Sequence, residues 1–132
     1  MLEGKTVLLV QEDLPSRKLL SEFLHPQGCV VLEAHSGPDA VKVSETYSGP
    51  IDVLVADGKM SGISGLDLAE QLRLSRPDLA IVLLSDSTEE TALLHIRGVP
   101  FVQKPFEPDE VAATIERALR QNGEVLKSKI AG

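Results

Sequence analysis

Short aliphatic runs recur along the chain and alternate with longer stretches whose apolar residues return at helical spacing. "TVLLV" (6–10), "CVVLEA" (29–34), "IDVLVA" (51–56), "AIVLL" (80–84) and "FVQ" (101–103) predict five strands. They are rich in Val, Ile and Leu and nearly unbroken, as strands covered on both faces are. After Pro15, a favourable residue for a first helical turn, Leu19, Leu20, Phe23 and Leu24 predict a helix that ends at Pro26-Gln27-Gly28. A second is predicted over 37–47, with Ala40, Val41, Ser44 and Tyr47 along one side. A third carries Leu66, Ala69 and Leu72 and stops before Pro77; a short fourth covers 89–97, ended by Gly98. The fifth is expected over 108–122, with Val111, Ala112, Ile115, Ala118 and Leu119 inward and Gly123 as its stop.

Five βα units in succession predict an α/β fold: a doubly wound, five-stranded parallel sheet with five helices on its two faces. No repeat, low-complexity segment or second domain interrupts residues 1–122, and 123–132 read as a C-terminal tail or linker fragment. In such folds ligands lie beyond the carboxyl ends of the strands.

Composition narrows the function classes. The chain has 132 residues, 42% hydrophobic and 25% charged, ordinary values for a globular domain. A formal net charge of −7 argues against direct nucleic-acid binding or docking on an anionic membrane. No apolar run approaches a membrane span, and no basic-then-apolar signal pattern opens the chain. Cys29, the single cysteine, sits in an apolar stretch. It reads as core packing in a reducing, hence cytoplasmic, compartment.

The strand ends carry the chemistry. The first strand runs into Glu12 and Asp13, the third into Asp57, the fourth into Ser85, and Lys104 follows the fifth. Two carboxylates about 4 Å apart repel by roughly 4 kcal/mol at an effective dielectric near 20. One lysine does not neutralise three acids, so a divalent cation is the natural completion; all-oxygen ligands suit Mg²⁺ or Mn²⁺. A hard cation beside a carboxylate nucleophile, a lysine and a hydroxyl is equipment for phosphoryl transfer. Two anions after the first strand exclude a P-loop-like phosphate cradle there.

These motifs, at successive strand ends over roughly residues 4–122, resemble the receiver domain of two-component response regulators. The resemblance implies a flavodoxin-like sheet of order 2-1-3-4-5. It implies Asp57 as phosphoacceptor, and Mg²⁺ (or Mn²⁺) held by Glu12, Asp13, Asp57 and the backbone carbonyl of Lys59. It implies Ser85 as the switch hydroxyl, Phe101 as the aromatic that follows it, Lys104 as the phosphate-contacting lysine, and a cis Lys104-Pro105 bond. The implied partners are a sensor histidine kinase or histidine phosphotransfer protein, with a possible homodimer through the face of helix four, strand five and helix five. Such a chain is a phosphorelay switch, catalysing only its own phosphorylation and dephosphorylation and not turnover of a separate substrate.

Some positions depart from the family pattern. Ser61 stands where proline is common, Asp86 where a small residue is common, and Lys59 two residues after Asp57. Lys59 and Asp86 either pair across the site mouth and tune phosphoryl chemistry or stand as two solvated charges, the second being the reading favoured here. The segment between Ser85 and Lys104 is a few residues short for the family, which points to a trimmed fourth helix or preceding loop. Two other classes remain open at this point: a degenerate, non-phosphorylated receiver serving as an interaction scaffold, and a small phosphatase or nucleotide-binding α/β enzyme. His25, His35 and His95 show no metal-binding spacing, and "GISG" (62–65) reads as a turn before the third helix.

Overall fold

The computed structural model describes the backbone of residues 2–131 and the side chains of residues 2–122. Strands β1 (Thr6–Val10), β2 (Val30–Ala34), β3 (Val53–Asp57), β4 (Ala80–Ser85) and β5 (Phe101–Gln103) form one parallel sheet in the order β2-β1-β3-β4-β5. The intervening helices are α1 (Leu14–Leu24), α2 (Gly37–Thr46), α3 (Gly65–Arg73), α4 (Thr88–Arg97) and α5 (Pro108–Ala131). A 3-10 turn at His25–Gln27 follows α1 and closes on Gly28, whose φ of 88° is left-handed.

Strand alternation sorts the core into two layers. Val7, Leu9, Val53, Val55, Val82 and Leu84 pack on one face with Leu20 and Leu24 of α1 and Val111 and Ile115 of α5. Leu8, Val10, Leu54, Ala56, Ile81 and Leu83 pack on the other with Ala40 of α2, Leu68 and Leu72 of α3 and Leu94 of α4. Both faces of β1, β3 and β4 are covered, so these strands have no solvent-facing rows to make polar, whereas the edge strand β2 is partly exposed and carries Glu33.

Helix starts are fixed by side-chain caps: Asp13, Ser36, Ser64 and Ser87 each accept a backbone N–H from the first turn of α1, α2, α3 and α4. Four helices therefore begin at defined residues close to the strand ends. Gly98, at φ 69°, terminates α4 as expected. The fifth helix differs from expectation: it passes Gly123 and continues to Ala131. A glycine in a helix interior costs about 1 kcal/mol relative to alanine, which lowers helix stability without forbidding it.

Candidate phosphoacceptor site

β3 is the central strand, and Asp57 is its last residue, so this carboxylate stands at the middle of the sheet edge. Its side chain is 14% exposed, and Lys104 Nζ lies 2.8 Å from its Oδ1. The contact is an ion pair between the ammonium and a carboxylate oxygen that is shielded from solvent and takes no hydrogen bond. Lys104 is brought there from β5, across β4: its backbone N–H donates to the Ser85 carbonyl at 2.7 Å, and the Lys104-Pro105 peptide is cis.

Glu12 and Asp13 are both exposed at this edge but differently engaged. Glu12 Oε1 accepts the backbone N–H of Ser61 at 3.0 Å, tying the end of β1 to the loop after β3. A proline at 61 would have no N–H to give, so the departure at this position creates the bond. Asp13 Oδ2 caps α1, accepting from the backbone N–H of Ser16 at 3.0 Å and from its hydroxyl. Those two bonds, chiefly the hydroxyl's, hold its carboxyl below the ordinary carboxylate value, and the charges of Lys104 and Arg17 add to the effect.

Ser85 is fully buried, with its hydroxyl turned toward α4: Oγ donates to the Ser87 carbonyl at 3.2 Å and lies 3.0 Å from Thr91 Oγ1. Phe101 is partly buried against the second core layer. Lys59 and Asp86 are exposed, and among the described residues no ion pair joins them. The pairing hypothesis is thus set aside for the solvated reading: two exposed side chains gain too little in high dielectric to offset their ordering.

Two residues at this edge escape the sequence reading. Gln11 is 1% exposed, and its Oε1 has no hydrogen-bond partner. Val10 registers with Ala56, so Gln11 and Asp57 are the next neighbours across the strands and share the face of Leu9 and Val55. Its signal was parity: Val7, Leu9, Gln11 extends a buried row with a polar residue. The other is Glu90, in the first turn of α4, whose Oε1 is also buried without a partner. Both its carboxylate oxygens lie 2.5 Å from where a Cβ on Gly58 would stand. Among the described residues, the buried side-chain oxygens lacking partners are these three: Gln11 Oε1, Asp57 Oδ1 and Glu90 Oε1.

A family model for the response regulator receiver domain matches residues 7–116. The chain belongs to that family. Curated relatives include the phosphate regulon transcriptional regulatory protein PhoB of Pseudomonas aeruginosa, 30% identical over 91% of this chain and 54% of PhoB. The sensor kinase CckA of Brucella abortus is 30% identical over 88% of this chain and 13% of CckA. The receiver thus spans about half of one such relative and a small part of another. Among solved structures, the response regulator TrrA of Thermotoga maritima, in complex with Mg²⁺-BeF, aligns with a TM-score of 0.72 at 31% identity, covering 87% of this chain and 99% of TrrA. The strand order and helix placement of this receiver are those of the family, a signalling domain of two-component systems.

Proposed function

We propose that this receiver is a phosphorylation-dependent switch that takes a phosphoryl group onto Asp57 from a phosphohistidine of a sensor histidine kinase or phosphotransfer protein. The observation that carries the reading is the Asp57–Lys104 ion pair at 2.8 Å on the central strand end. An Asp57 oxygen attacks phosphorus; the phosphorus–nitrogen bond of the donor breaks, and its electron pair stays on the imidazole nitrogen. Lys104 balances charge on the phosphoryl oxygens. Ser85 then leaves Thr91 and turns toward the phosphoryl group, Phe101 moves into the space released, and the population shifts on the face of α4, β5 and α5. That face is the proposed contact for a downstream partner or a second copy, in a cytoplasmic setting.

The residues also fit Mg²⁺, or Mn²⁺, in their chemistry. Gln11 Oε1 and Asp57 Oδ1 are buried oxygens on neighbouring strands that take no hydrogen bond, and Glu12 and Asp13 each retain an oxygen outside the bonds described above. Among the described residues no three acidic, histidine or cysteine side chains stand grouped as a metal cluster, and Glu12 is held to Ser61 through one oxygen. Glu12, Asp13, Asp57 and the Lys59 carbonyl would hold the ion, with Gln11 beside them. The bound ion would supply positive charge against the phosphoryl oxygens.

The ungrouped acids also favour a second reading, a scaffold receiver that is never phosphorylated. Incubation with acetyl phosphate and Mg²⁺, followed by intact-mass measurement, separates the two. One added phosphoryl group on wild type and none on Asp57→Asn supports the switch; an unmodified wild type leaves the scaffold.

A further inference from the structure

The first turn of α4 rests on the residue that follows the phosphoacceptor. Only Asp86 and Ser87 connect β4 to α4, so the helix begins immediately over the sheet edge. Ser87 Oγ accepts the Glu90 backbone N–H at 3.1 Å, and Thr91 Oγ1 donates to the Ser87 carbonyl at 2.8 Å while touching Ser85. This tethered turn delivers the Glu90 carboxylate into a notch that exists because residue 58 has no side chain. The Cβ clearance places the Glu90 carboxyl carbon within roughly 8 Å of the Asp57 Cα.

We propose that Glu90 is an electrostatic catch: lodged in the Gly58 notch, it holds α4 against the sheet edge, and it is expelled when negative charge is added at Asp57. The inference rests on Asp57 as the phosphoryl acceptor and adds a second switch residue to the site. A buried carboxylate oxygen without a partner is tolerated only marginally, because nothing replaces its lost hydration. The positive end of the α4 dipole offsets part of that penalty. The balance is therefore sensitive to the charge nearby. The added charge lies a few Å beyond the Asp57 Cα, and unit charges about 12 Å apart at an effective dielectric near 20 still alter an equilibrium by roughly tenfold. Ser85, released from Thr91 at the same moment, removes a second tether from the same turn.

Beryllofluoride with Mg²⁺, titrated into the full chain, tests this. Calorimetry reads affinity, and hydrogen exchange reads the amides of 87–91. In wild type those amides exchange faster once beryllofluoride binds. Glu90→Gln, which keeps the shape and removes the charge, binds beryllofluoride roughly tenfold more tightly. Gly58→Ala, which puts a methyl group in the notch, accelerates the same amides without ligand and makes no further difference in a Glu90→Ala background. Affinities within twofold for wild type and Glu90→Gln would overturn the catch while leaving Asp57 as acceptor. A Gly58→Ala effect undiminished in the absence of Glu90 would also overturn it. A folded wild type that never binds beryllofluoride would remove the underlying reading as well.

Discussion

Asp57 is largely buried, and its shielded oxygen is met by the Lys104 ammonium without a hydrogen bond. Glu12 is the opposite, exposed and restrained by a single backbone donor. Ser61→Pro removes that donor, so Mg²⁺ is expected to bind more tightly to the variant; calorimetric titration reads the change. Asp13 gives a pH signature. Its native carboxyl titrates below the ordinary range because Ser16 hydrogen-bonds the charged form. The stabilisation is present above the unfolded-state value and is lost as pH falls through the lower native value. The stability difference between wild type and Ser16→Ala is expected to shrink below about pH 4, read from urea unfolding across the acid range. Cys29 is 4% exposed with its thiol donating to the Leu24 carbonyl, and burial pushes its pKa up. Thiol reagents at neutral pH are expected to label it only when the chain is unfolded.

Elements hold these residues in register, and two junctions do most of the positioning. Gly65 opens α3 directly beneath β3: a Cβ there would be driven into the Asp57 carbonyl oxygen and approach Leu83. Gly65→Ala is expected to destabilise the fold by about 1–3 kcal/mol through overpacking and to slow phosphorylation by shifting Asp57. Denaturation and acetyl phosphate kinetics measure the two effects. Arg76, after α3, clamps the end of α2 and the loop leading to β3. It donates to Ser44 Oγ, the Ser44 carbonyl, the Gly49 carbonyl and the Tyr47 carbonyl at 2.7–2.9 Å. Arg76→Ala is expected to cost about 2–3 kcal/mol in unfolding free energy, with little recovery in Arg76→Lys because the planar fork is lost. Strands and helices were legible because buried parallel strands and amphipathic helices leave periodic traces. Boundaries were less so: β3 includes Asp57 and β4 includes Ser85, each a polar residue that closes an aliphatic run. Gly123 misled because a helix end depends on more than one residue's propensity.

For the molecule as a whole, a net charge of −7 means that cations matter to stability. Mg²⁺ at ten times its Kd is expected to add about 1.4 kcal/mol to wild-type stability and less to Asp57→Asn at matched ionic strength, measured by thermal unfolding. The chain's order of residues was enough for the α/β class, the strands, and the placing of Asp57 and Lys104 at strand ends, because each follows from hydrophobic period and from which residues stand where strands stop. It was not enough for the Glu12–Ser61 bond, the unpartnered Gln11, or Glu90 in the Gly58 notch. Those depend on which loops meet over the sheet edge and how closely. Loop approach is set by packing across residues far apart in the chain, and no local spacing records it.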